Sequence, residues 1–155
     1  MSVCKMLLLD VDGVLTDGSI FLDKNGEEIK RFNVKDGLGI KKLQQQGIEV
    51  GVITGRSSLA LHHRLAKLNV TLIYENIQEK LPVYEQILVE KNLVDEDVCY
   101  MGDDLPDLPI LKRVKISGCP SDAVDEVQEI CQFKSGRKGG RGAVREFADF
   151  ILKQR

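Results

Sequence analysis

Four short stretches carry groups that could do chemistry together. Asp10 and Asp12 stand one residue apart after the apolar run Met6-Leu7-Leu8-Leu9, and Gly13 follows them. Thr54-Gly55-Arg56 closes a second apolar run, "IEVGVI". Lys80 opens a helical pattern, and Asp103, Asp104 and Asp107 follow "VCYMG". Side chains alternate along a strand, so positions 10 and 12 face one way if the strand persists. Two like charges held close are costly unless something positive sits between them. Paired carboxylates, a hydroxyl, an ammonium and further carboxylates suit phosphoryl transfer through an aspartyl-phosphate. Mg²⁺ held by hard oxygen ligands would neutralise both the nucleophile and the phosphate dianion. A lysine and a threonine would hold the phosphate oxygens in line. A second carboxyl two residues on would protonate the leaving oxygen and then activate water.

These groups need a scaffold that brings strand ends together. Short apolar runs alternate with helical patterns, which predicts βαβ units and a mainly parallel sheet. Strands are expected at Met6–Asp10, Glu49–Ile53, Thr71–Tyr74, Val98–Met101 and Val114–Ser117, with a short one at Cys131–Phe133. Helices are expected from about Asp36 to Gln46, stopped by Gly47, and from Ser57 to Leu68, stopped by Asn69. A third starts near Leu81-Pro82, and a last carries the stripe Val144, Phe147, Ala148 and Ile151. Between the first strand and first helix, Ser19–Val34 contains two strand-like runs around Asn25-Gly26, a hairpin signal. That hairpin is either surface decoration or a flap or subunit contact beside the site. His62 and His63 read as exposed helical residues. The run Ser135–Gly142, "SGRKGGRG", is either a flexible basic loop or one whose arginines reach a ligand across a subunit boundary.

Bulk properties narrow the classes. The chain has 155 residues, a net charge of −2 and 5% aromatic residues. One domain over 1–155, with 19–34 as its hairpin, fits that length. A dedicated nucleic-acid binder would be basic, and a base-stacking platform needs aromatics. Neither a secretory segment nor a membrane span is legible, and the four cysteines form no C-x-x-C pair. The expectation is a cytoplasmic enzyme with reduced thiols.

"DVDGVLTDG", "VITGR", Lys80 and "GDDLPDL" resemble, in order, the four motifs of the haloacid dehalogenase (HAD) superfamily of phosphatases. "FNVKDGLGIKKL", "GIEVGVITGRS" and "GGRGAVREFADFIL" extend the resemblance, from about Lys5 to Lys153, to its capless branch, the 3-deoxy-D-manno-octulosonate (KDO) 8-phosphate phosphatases. The resemblance implies an α/β, Rossmann-like HAD core without a cap domain, a homotetramer with sites near subunit interfaces, and a part in lipopolysaccharide biosynthesis. It makes Asp10 the nucleophile and a Mg²⁺ ligand, and Asp12 the acid/base with its backbone carbonyl on the metal. It assigns Thr54 and Lys80 to the phosphoryl group, Asp103 to the metal, and Asp104 and Asp107 to outer-shell support. It extends the substrate site to Asn33, Val34, Lys35, Asp36 and Gly37, and to the basic residues Lys41, Arg56 and Arg64. A sugar-acid carboxylate needs such a cation. The chain departs from the pattern at "YENIQEK", where a glycine is usual, at Cys119-Pro120, at Lys41 where arginine is common, and in ending soon after Ile151. A nonulosonate 9-phosphate phosphatase shares the scaffold, although Arg56 favours the octulosonate branch. An inactive oligomerisation module, as fused to sialic-acid-activating enzymes, would lack Thr54 or the aspartates. A receiver-like phosphoacceptor would not need Asp12.

Overall fold

The computed structural model describes residues 4–154. The first strand, β1 (Met6–Leu9), leads to a hairpin of β2 (Phe21–Leu22) and β3 (Glu28–Ile29), then α1 (Val34–Gln45) and β4 (Glu49–Ile53). The chain continues through α2 (Leu59–Lys67), β5 (Leu72–Tyr74), α3 (Lys80–Lys91), β6 (Val98–Met101) and α4 (Leu108–Leu111). It ends with β7 (Ile116–Cys119), α5 (Asp125–Ile130), β8 (Phe133–Lys134) and α6 (Ala143–Lys153). Six strands form one parallel sheet in the order β5-β4-β1-β6-β7-β8. The order reverses beside β1: the chain winds out through β4 and β5, then returns to lay β6 on the other side. Open α/β sheets bind ligands at such a switch point, outside the carboxyl ends of the strands.

β1 is buried on both faces, as a continuous apolar run requires. Leu7 and Leu9 join Val50, Val52, Ile40, Leu61 and Phe147 under α1, α2 and α6. Met6 and Leu8 join Tyr100, Tyr84, Ile87 and Val127 under α3 and α5. Helix ends follow local chemistry. Asn33 caps α1 by accepting from Lys35 N at 2.8 Å, and Ser58 caps α2 by accepting from Leu61 N at 3.1 Å. The α/β class, the strand at Glu49–Ile53 and that at Val98–Met101 are as expected.

Other boundaries differ for a tertiary reason. The strand expected at Val114–Ser117 starts at Ile116, because Ile116 is the first residue paired to β6, while Val114 N closes α4 by donating to Ile110 O. Cys131 closes α5 in the same way, so the last strand begins at Phe133 instead. The short helices α4 and α5, of four and six residues, carry no readable amphipathic repeat. The hairpin is present, with Phe21 opposite Ile29 and Leu22 opposite Glu28. Its turn is a wider one in which Asp23 N donates to Glu27 O at 2.9 Å and Gly26 takes φ +82°. No helix among the described residues is long and apolar enough to cross a membrane.

Phe147 is fully buried, stacks on Phe133 with centroids 5.3 Å apart, and lies over Gly118 of β7. Phe147→Ala is expected to cost about 3–5 kcal/mol in a denaturant titration. A loss within about 0.5 kcal/mol, the range of surface substitutions, would contradict the packing described.

Candidate active site

At the switch point a cleft of about 310 Å³ is lined by Asp10, Asp12, Thr54, Gly55, Arg56, Lys80, Asp103, Asp104 and Asp107. Asp10 follows the last residue of β1, and its Oδ1 accepts from Val11 N at 2.8 Å and lies 3.0 Å from Lys80 Nζ. Lys80, the first residue of α3, is nearly inaccessible to solvent and also donates to Asp107 Oδ1 at 2.8 Å. Asp107 Oδ1 accepts a further bond from Tyr100 OH at 2.6 Å. Its Oδ2 accepts from the backbone N–H groups of Asp103 and Asp104 at 3.0 and 3.3 Å. Both of its oxygens are therefore engaged in holding Lys80 and the Asp103-Asp104 turn. Thr54 is buried at the end of β4, and its backbone bonds to Tyr74 O and Ile77 N bind the loop after β5 to the site. In that loop Asn76 takes φ +55°. Asparagine tolerates this left-handed conformation, so the departure from glycine keeps the backbone path.

The site is electrostatically unbalanced. Burial, and then the charge of Asp107, push Asp10 up to about 6, with Lys80 opposing. Burial, and then its hydrogen bond with Asp10, push Asp103 up to about 9. Lys80 is raised: burial opposes its charge, but Asp10 and Asp107 outweigh that. One carboxylate oxygen from each of Asp10, Asp103 and Asp107 lies within 4.8 Å of the others. Asp103 Oδ1 is buried without a hydrogen-bond partner. A hard divalent cation fits this donor set, and with Asp107 saturated, Asp10 and Asp103 have the oxygens to give it. Gly13 permits the approach: at φ +91° it brings its backbone so near Asp103 that a Cβ would lie 1.9 Å from Oδ2. Behind it, Gly139 packs on Gly13 O, and Gly140 N donates to Val14 O at 3.0 Å. The glycines of "SGRKGGRG" thus buttress the Asp12–Asp17 loop from within the same chain.

The remaining expected residues divide. Asp12 turns its Oδ1 to Lys30 Nζ at 2.6 Å, away from the three-carboxylate cluster. Arg56 pairs with Glu28 and lies 3.9 Å from Asp12 Oδ2. Asp104 lines the cleft and caps the following turn, accepting from Leu105 N at 2.7 Å. Asn33, Val34, Lys35, Asp36, Gly37, Lys41 and Arg64 are not part of this cleft. Asn33 O accepts from Arg64 Nη2 at 3.4 Å. Asp36 is buried and accepts from Arg145 N at 3.0 Å, fastening α1 to the start of α6. Gly37 is buried against Arg64, whereas Val34, Lys35 and Lys41 are exposed. Asn33, Asp36, Gly37 and Arg64 instead line a separate, small pocket with Leu15 and Phe32. His62 is exposed, as expected, and lies 2.7 Å from Glu75. Three residues that contact the expected site residues escaped the sequence reading: Tyr100, Glu28 and Lys30. Only the last two left a signal, since charges at i and i+2 on a strand share a face.

No family model matches the chain. It is 41% identical over 148 residues, 96% of this chain and 79% of the relative, to the 3-deoxy-D-manno-octulosonate 8-phosphate phosphatase KdsC of Escherichia coli K12. A structure from Legionella pneumophila assigned to HAD superfamily hydrolases (subfamily III A) superposes with a TM-score of 0.94 at 41% identity, covering 97% of this chain and 82% of that one. The Moraxella catarrhalis KDO 8-phosphate phosphatase, solved with magnesium, phosphate and KDO, superposes with a TM-score of 0.95 at 34% identity, covering 98% and 87%.

Gly13→Ala drives a methyl group into Asp103 Oδ2 at a backbone angle that disfavours any side chain. Calorimetric titration with Mg²⁺ is expected to show affinity weakened about tenfold or more, about 1.4 kcal/mol, with the circular dichroism spectrum retained. Unchanged Mg²⁺ affinity would separate Asp103 from the cation site.

Proposed function

Because the chain belongs to the KDO 8-phosphate phosphatase family of the HAD superfamily, we propose that it hydrolyses 3-deoxy-D-manno-octulosonate 8-phosphate to the sugar acid and phosphate, dependent on Mg²⁺. The observation that carries this reading is Asp10 itself: a buried carboxylate at the switch point, 3.0 Å from Lys80 and clustered with Asp103. Asp10 Oδ attacks phosphorus, and the bond from phosphorus to the sugar oxygen breaks. Asp12 gives that oxygen a proton, then takes one from the water that attacks the aspartyl-phosphate, which breaks the bond from phosphorus to Asp10, releases phosphate and restores the Asp10 carboxylate. Lys80 and Thr54 hold the non-bridging oxygens, and Asp107 with Tyr100 keeps Lys80 aimed. Asp10, Asp103 and the Asp12 backbone carbonyl would hold Mg²⁺, which neutralises charge on nucleophile and phosphate. Arg56 is the cation for the sugar carboxylate. Thr54, Lys80, Asp103 and Asp104 share one cleft, which favours an active phosphatase over an inactive oligomerisation module. Arg56 favours the octulosonate over a nonulosonate 9-phosphate.

The chain acts as a single domain, and its assembly is part of the same reading. Ile20, Phe21, Leu22 and Ile29 on the hairpin and Val34 and Leu38 on α1 are large, apolar and at least half exposed. Such a patch is rarely left to solvent. A homotetramer with sites near subunit interfaces, as the family resemblance implies, would cover it. The four cysteines are buried free thiols, which suits a cytoplasmic enzyme.

A phosphate-release panel over sugar-acid phosphates is expected to give the highest kcat/KM with the octulosonate 8-phosphate, and none after chelation. Asp10→Asn should lose about a thousandfold or more in turnover. Full activity in either case would refute the mechanism, and a preference for nine-carbon esters would reassign the substrate. Phe21→Asp with Ile29→Asp should yield monomers by light scattering where the natural chain forms tetramers. A natural chain that is monomeric at micromolar concentration would refute the assembly.

A further inference from the structure

The hairpin reaches into the cleft of its own chain. Glu28 and Lys30 are two residues apart on one strand and its extension, so their side chains leave the same face. Ile29 between them points outward and is more than half exposed. Lys30 Nζ lies 2.6 Å from Asp12 Oδ1 and 3.1 Å from Glu28 Oε2, and only 7% of the Lys30 side chain is accessible. Glu28 in turn pairs with Arg56, whose Nε lies 3.9 Å from Asp12 Oδ2. Asp12, Lys30, Glu28 and Arg56 therefore close a ring of alternating charge. Within it the two oxygens of Asp12 are unequal. Oδ1 is held by a short, charge-assisted bond to a nearly buried ammonium. Oδ2 faces Arg56 beyond hydrogen-bond distance and keeps free capacity.

We propose that Lys30 is a positioning residue for the reaction: by holding Oδ1 it fixes the Asp12 carboxyl so that Oδ2 meets the departing oxygen. The inference rests on the proposed role of Asp12 as acid/base. Among the described residues the Asp12 carboxyl has no closer ionic partner to choose its rotamer, because it lies outside the carboxylate cluster and its other ionic neighbour is 3.9 Å away. Misplacing a reacting group by about 1 Å can cost about a hundredfold in rate. Lys30 and the Asp12 that it holds belong to one chain, so the hairpin serves its own subunit's reaction whatever it does between subunits.

The test separates positioning of the acid from binding and from general integrity. Lys30→Met keeps the stem and removes the charge. Single-turnover measurements compare an alkyl phosphate, whose alkoxide must be protonated as it leaves, with p-nitrophenyl phosphate, whose phenolate leaves unprotonated. First-turnover release from the alkyl ester, and its kcat, should fall about tenfold to a hundredfold, with KM within about threefold. First-turnover release of p-nitrophenolate should stay within about threefold, and Lys30→Arg should recover most of the alkyl rate. Equal losses on both esters would overturn the proposal in favour of a structural role. A raised KM with unchanged kcat would overturn it in favour of substrate binding, and wild-type rates would overturn it outright. If Lys30→Met does not fold, Lys30→Gln carries the same comparison, since an amide supplies no charge. The natural chain's rate on the octulosonate ester tests the substrate reading separately. Its failure there leaves the Lys30 comparison to be made on any alkyl phosphate it does accept.

Discussion

Several carboxylates must share the end of one buried strand, and the rest of the molecule is arranged to make that tolerable. Burial and then Asp10 raise the affinity of Asp103 for a proton, while burial and then the charge of Asp107 raise that of Asp10. Lys80 compensates in part, but its position is itself secured by Asp107 and Tyr100. What Lys80 leaves unbalanced is the place for a divalent cation and a phosphate. The parallel sheet serves this because its reversal at β1 sets the ends of β1, β4 and β6 side by side with helices covering both faces.

Close backbone approach follows from the same constraint. Gly13 has no room for a side chain because Asp103 occupies it, and the glycines at 139 and 140 have none because the Gly13–Thr16 backbone does. Asp36 completes the arrangement from the other side by fastening α1 to the start of α6, which follows the glycine loop. The loop that carries Asp12 is thereby held by two layers of the same chain. The run "SGRKGGRG" is basic in composition, yet its glycines matter here for their lack of side chains.

The hairpin has two faces with different work. Outward, Phe21 and Ile29 form a cross-strand pair exposed to solvent, a surface that calls for cover. Inward, Glu28 and Lys30 join the charge ring around Asp12 and Arg56. A cap domain is therefore not needed to bring extra residues to the cleft. The proposed assembly and the proposed positioning of Asp12 thus meet on one short, two-stranded element.

Much of this was legible in the residues alone. Asp10 and Asp12 after an apolar run, Thr54 after another, Lys80 opening a helix and Asp103 after a fourth strand are local signals: each depends on the period of one element and on where it ends. The parallel class followed because the alternation of strand and helix leaves few other ways to bury such runs. Only tertiary structure decided which charges pair. Lys80 reaches across 27 residues to Asp107, Lys30 across 18 to Asp12, and Arg145 N across 109 to Asp36. These pairings depend on strand register, on the wider hairpin turn and on which helix packs where, none of which a local pattern encodes. The start of β7 and the separation of Asn33–Gly37 from the cleft were hidden for the same reason. A residue's type announces what it could do, but the packing of distant segments determines what stands beside it.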